Sequence, residues 1–304
     1  MASSYKIVGT IIGVVILAGG GAYAALGFNR TLNAPPPQTY PVVNKQGQQV
    51  GVYQIPDDTE IPSLPNGELV LYGKRLLNET ARLLPDHVGD KLNCNSCHLG
   101  EGKVNYSAPY INTINDYPTF KPRAGKVIDI VQRINGCFQR SMNGKPLAPE
   151  SREMQAMIAY MDWLRNGVPK GDRVKVVNAG PIDMSLVPDP VRGEQIYARE
   201  CATCHGANGE GMKDQAGNFI FPPLWGDESF NIGAGMARTY KAAAFVKYSM
   251  PMSINQKHPL GQGGVLSDQD AVDVSEFFTH QPRPGFAKTA GDWPNQPKPK
   301  DARY

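Results

Sequence analysis

Charge, histidine and cysteine are all scarce in this 304-residue chain. Charged residues make up 19% of it, the formal net charge is only +3, and no basic run is interleaved with aromatic residues. A nucleic-acid-binding surface is therefore excluded. Glycine (32) and proline (26) are plentiful instead, which predicts long loops built around something other than regular secondary structure. The chain holds five histidines and five cysteines, and their placement carries the chemistry.

Four of the cysteines and two of the histidines fall in two copies of one pattern, Cys94-Asn95-Ser96-Cys97-His98 and Cys201-Ala202-Thr203-Cys204-His205. Cys-x-x-Cys-His is the attachment pattern of a c-type haem. On one helical turn, cysteines three apart meet the two vinyl groups of a haem edge. The adjacent histidine then reaches beneath the porphyrin to the iron. Zinc is a poorer reading, because that histidine cannot easily close the same small tetrahedron. Two complete copies predict two covalently bound haem c groups. Cys94, Cys97, Cys201 and Cys204 are the attachment points, and His98 and His205 the proximal ligands. Haem also supplies apolar surface that small, loop-rich domains lack. The propionates of two haems outweigh the +3 of the protein, so overall charge says nothing about nucleic acid.

Residues 7–26 are apolar and glycine-rich, preceded by Lys6 and followed by Arg30. They read as a signal peptide with a small-residue exit at Ala22-Tyr23-Ala24, or as an uncleaved membrane anchor. Either way the rest of the chain is expected in the periplasm, where bacteria attach haem to apocytochromes. The expected division is a signal or anchor over 1–30, an extended tether and strap over 31–65, and a first haem domain over 66–168. A linker over 169–190, a second haem domain over 191–286 and a tail over 287–304 complete it. Apolar spacing predicts helices over 68–84, 126–140, 150–165, 193–200, 236–248 and 267–279. Met154, Met157 and Met161 lie at helical intervals and read as core packing. Each half thus runs helix, haem motif, long loop, helix, distal-ligand region, helix. That order resembles the small cytochrome c fold, in which first and last helices cross, here at Gly73 and Gly193. The expected fold class is all-α, with two cytochrome c-like domains in tandem.

The sixth iron ligands decide what the haems do. For the second haem the leading candidate is Met250, downstream of His205 and fixed by Pro251, with Met252 and Lys247 as alternatives. Thioether ligation raises the reduction potential and suits electron transfer. The first half has no Met-Pro in the matching place. It has Cys137, which stands about as far beyond His98 as Met250 stands beyond His205. A lone cysteine is often just a small buried residue, but an unpaired thiol in an oxidising compartment is a liability unless used. Arg133 and Arg140 flank it, and nearby cations favour the thiolate. An axial or reactive role for Cys137 is expected, among a cation set of Arg123, Arg133, Arg140 and Lys145. Such a set suits an anionic, sulfur-containing substrate that makes and breaks S–S bonds.

These segments resemble a known family. Cys94 to His98, Arg123-Ala124-Gly125-Lys126 and the run from Arg133 through Cys137 and Ser141 to Gly144 are similar to the catalytic domain of the di-haem thiosulfate dehydrogenases. Residues 201–211, Pro222-Pro223-Leu224-Trp225-Gly226, Ser229-Phe230-Asn231 and Gly233-Ala234-Gly235-Met236 are similar to its second half. The resemblance implies coupling of two thiosulfates to tetrathionate with release of two electrons, a reaction some members run in reverse. It implies His98 and Cys137 as ligands of the first haem, and His205 and Met250 as ligands of the second. Arg123, Arg133 and Ser141 fall where the family binds substrate. A soluble cytochrome c or a high-potential iron–sulfur protein is the implied electron partner. Two other readings stay open. A plain di-haem carrier predicts haem spectra indifferent to thiosulfate, and a cytochrome subunit of a sulfur-oxidising complex predicts no turnover without a partner. A di-haem peroxidase is weaker, because His87, His258 and His280 sit in no ligand pattern.

Overall fold

The computed structural model describes residues 38–255 and 260–304. The apolar stretch 7–26, most of the tether and His258 lie outside the described residues. No helix among the described residues is long and apolar enough to cross a membrane.

Thr39–Tyr304 form one compact unit. Its frame is two pairs of crossed helices. In the first half, α1 (Gly67–Asn78) buries Val70, Leu76 and Leu77. Against that face, α3 (Arg152–Leu164) buries Met154, Met157, Tyr160 and Leu164, so the methionines pack as expected. The crossing point is Gly73, where a Cβ would stand 1.9 Å from the Ala156 carbonyl oxygen. The second half repeats the arrangement with α4 (Pro190–Glu200) and α6 (Asp268–Thr279), crossing where a Cβ on Gly193 would stand 2.1 Å from Asp273 O. Only glycine lets two helix backbones approach that closely. The helix starts are set by local chemistry. Ser151 Oγ accepts from Met154 N at 3.2 Å. Asp189 accepts from Val191 N and Arg192 N, with Pro190 at the first helical position. Ser267 and Asp270 form a reciprocal capping box. Arg192 ties α4 to α6 through Asp270 and Asp273.

All-α is too simple a description. Among the described residues, three small antiparallel sheets join the helices. The segment read as an irregular strap contains a hairpin of β1 (Thr39–Val43) and β2 (Gln49–Gln54), and β5 (Arg173–Val174) pairs with the other edge of β1. Tyr40, Val42, Tyr53, Ile111, Val168 and Val174 make a satellite core there. Sequence periodicity missed it because the inward-facing run is only Tyr40 and Val42, and most of its covering partners (Ile111, Val168 and Val174) lie about 70 to 130 residues away. The helix expected over 126–140 also starts late. Lys126–Ile128 is strand β4, paired with β3 (Thr119–Lys121), and α2 covers only Ile130–Arg140. The stop is chemical: Asp129 accepts from Gln132 N at 2.7 Å, and Gln132 accepts from Asp129 N at 3.0 Å. The helix expected over 236–248 is α5, Thr239–Ser249, preceded by a single turn at Gly235–Ala237.

Candidate functional site: two haem-attachment motifs and a cysteine on α2

The first motif lies on a short turn, Cys94–Ser96, held at both ends. Asn93 N donates to Ser96 Oγ at 3.1 Å, and Cys94 N donates to Thr80 Oγ1 at 3.1 Å. His98 turns Nδ1 to the carbonyl oxygen of Ala108 at 2.6 Å. A carbonyl only accepts, so Nδ1 carries the proton and the Nε2 lone pair is free for a metal. Burial pushes the His98 pKa down to about 4, which keeps the ring neutral at neutral pH as a ligand must be. The second motif copies this. His205 Nδ1 donates to Pro222 O at 2.8 Å, and burial lowers its pKa as well. Neither carbonyl was foreseeable, since backbone acceptors have no side-chain signature.

The cysteines fit thioether attachment. All five are free of disulfides. Burial pushes the thiols of Cys94, Cys97 and Cys201 up to about 12. No group of three or more His, Cys, Asp or Glu converges as a metal site among the described residues. The residues therefore suit a c-type haem at each motif, with Cys94 and Cys97, and Cys201 and Cys204, as its attachment points.

Cys137 lies on α2, close enough to the first motif to act electrostatically on Cys94, Cys97 and Tyr110. One helical turn earlier on the same face, Arg133 donates from Nη1 to Cys137 Sγ at 3.1 Å. That sulfur, more than any other group, raises the Arg133 pKa, with Tyr117 adding to it. One turn later, Ser141 N donates to Cys137 O at 2.8 Å. The expected cation set divides. Arg123 Nη1 donates to Gly233 O at 2.8 Å, and Arg140 forms a bidentate pair with Asp292 at 2.7 and 2.8 Å. Lys145 is exposed. Thus Arg133 and Cys137 make one cluster, while Arg123 and Arg140 meet residues of the second half and the tail.

Met250 caps the end of α5, with its N–H on Val246 O at 2.9 Å, and packs against the main hydrophobic cluster. Met252 is half-buried beside it. Lys247 is paired with Asp268. Ser249, just before Met250, shares a buried 2.9 Å hydrogen bond with Ser107, the neighbour of the Ala108 that holds His98.

Two histidines poised on carbonyls, each beside a cysteine pair in its own helical frame, define a di-haem cytochrome c. The family models agree. Residues 87–169 match the SoxA/TsdA cytochrome c domain, and residues 190–281 match cytochrome c. The thiosulfate dehydrogenase of Psychrobacter arcticus is 46% identical over 82% of this chain and 74% of its own length. That of Allochromatium vinosum is 40% identical over 78% and 87% respectively. The solved thiosulfate dehydrogenase (TsdBA) of Marichromatium purpuratum, as isolated, superposes with a TM-score of 0.67 at 32% identity, over 75% of this chain and 48% of that longer one. The chain belongs to the thiosulfate dehydrogenase family, and it carries two c-type haems.

Proposed function

We propose that this protein joins two thiosulfate ions into tetrathionate, releasing two electrons, with Cys137 as the reacting residue at the first haem. The chemistry the haems would supply is redox: acceptance of those two electrons. The Cys137 thiolate forms a bond to the terminal sulfur of one thiosulfate as two electrons leave, giving Cys–S–S–SO3⁻. The terminal sulfur of a second thiosulfate attacks the middle sulfur of that adduct, the one bonded to Cys137 Sγ. The new S–S bond makes tetrathionate, and the cysteine leaves as thiolate, so atoms and charge balance. Arg133, 3.1 Å from that sulfur, stands beside it both when it attacks and when it leaves. Arg123 and Ser141 bind the sulfonate oxygens, arginine through its planar fork. His98 and Cys137 would hold the iron of the first haem, and His205 and Met250 that of the second. Lys247, held by Asp268, is the weaker alternative to Met250.

The observation that carries this reading is the 3.1 Å contact of Arg133 with a lone cysteine sulfur beside the first haem motif. We further infer a haem-1 domain over 66–168, a linker over 169–190 and a haem-2 domain over 191–286. Export to the periplasm through 1–30 is part of the same reading, with or without anchorage. So are delivery of electrons to a soluble cytochrome c or high-potential iron–sulfur protein, and reversal to tetrathionate reduction. Replacing Cys137 with Gly in protein loaded with both haems tests the core of it. Turnover should be lost in both directions, and near-normal thiosulfate oxidation by the variant would refute the reading.

A further inference from the structure

The tail lies beyond both matched domains, the second of which ends at residue 281. Yet it packs on the arginine that the proposed function assigns to substrate. Asp292 is nearly buried, its side chain 6% exposed, and its carboxylate takes both Arg140 nitrogens. The Tyr304 hydroxyl donates to the same carboxylate, and Arg123 Nε lies 3.8 Å from it. The next residue, Trp293, places its ring 4.7 Å from the Arg123 guanidinium. Its N–H donates to the Arg123 carbonyl at 2.8 Å. Pro294 then covers Gly125 so closely that a Cβ there would stand 2.3 Å from its ring. From the second half, Gly233 O accepts from Arg123 at 2.8 Å and from Arg140 at 3.4 Å.

Arg123 is therefore gripped on three sides, by a carboxylate, an indole face and a carbonyl. An unrestrained arginine loses much rotamer freedom when it binds an anion, and one already fixed loses little. The charge balance also leaves room for an anion. A single carboxylate between two guanidiniums leaves the cluster cationic, and Arg123 keeps 23% of its side chain exposed.

We propose that the C-terminal tail is a working part of the substrate site, in which Asp292 and Trp293 are positioning residues that hold Arg123 in place for a thiosulfate sulfonate. This rests on the reading of Arg123 as a substrate-binding group. The test compares Asp292→Asn, Trp293→Leu and Arg123→Gln in full-length, haem-loaded enzyme, with an artificial electron acceptor. Asp292→Asn and Trp293→Leu should each raise KM for thiosulfate about tenfold, the scale of one misplaced charged hydrogen bond. Their kcat should change by no more than about twofold, because the interaction is made equally in ground and transition states. Asp292→Glu should recover part of the loss, and the haem spectra should match wild type. If Arg123→Gln raises KM but neither tail variant does, the tail is only a structural strap and the proposal is overturned. A lower KM in Asp292→Asn would also overturn it, since Asp292 would then be an internal anion competing with substrate. If Arg123→Gln itself leaves KM unchanged, the substrate role of Arg123 fails, and with it the basis of the inference.

Discussion

Arg133 and Cys137 are one helical turn apart, so α2 itself sets their contact. Lysine at 133 would keep the charge but lose the fork and the reach. Arg133→Lys is expected to lower kcat/KM for thiosulfate about tenfold or more, measured by steady-state kinetics. A second residue went unnoticed in the sequence. Asp90 is 4% exposed, and one of its carboxylate oxygens has no hydrogen-bond partner. Burial pushes its pKa up to about 7 from an ordinary 3.8. Between those values the unfolded chain has released this proton while the folded chain keeps it. The folded state binds more protons there, so its stability falls as pH rises. Asp90→Asn removes the titration. The stability of the variant relative to wild type should climb between pH 4 and 7 by at most ~1.4 kcal/mol per unit, read from denaturant unfolding of the holoprotein. A pH-independent difference would show that the carboxyl finds a partner or water in solution.

The helices were readable because they are long, periodic and capped by side chains such as Ser151, Asp189 and Ser267. Even the crossing glycines were readable, as each precedes a buried apolar pair, Leu76 and Leu77 or Ile196 and Tyr197. A methyl group at Gly73 would meet Ala156 O at 1.9 Å, a backbone atom that cannot turn aside. Gly73→Ala should destabilise the first half by ~1–3 kcal/mol, the range for overpacking a tight interface, and lower the thermal midpoint. The strands were not readable. A three-residue run such as Lys126–Ile128 has no periodicity to detect, and only its pairing with Thr119–Lys121 makes it a strand.

Across the whole molecule, residues of both halves join in one hydrophobic cluster. Polar contacts reinforce it. Asn231, 1% exposed, donates to Gln139 O at 2.9 Å and to Asn143 Oδ1 at 3.0 Å, and Ser107 meets Ser249. A shared core couples the halves energetically, so thermal unfolding should be a single transition, the same by calorimetry and by absorbance at either haem. Asn231→Ala leaves the half-buried oxygens of Gln139 and Asn143 without this partner and should lower that midpoint or split the transition. Two resolved transitions in the wild type would mean that the halves fold independently.

The sequence alone determined the two haems, the paired helical frames and the odd cysteine, because each is written in side-chain type at short spacing. Tertiary structure decided which of the expected cations turn to the tail and how the two halves meet. Those outcomes depend on segments far apart in the chain, such as Arg123 and Trp293, or Ser107 and Ser249. No local pattern records such meetings, because they exist only once the chain has packed.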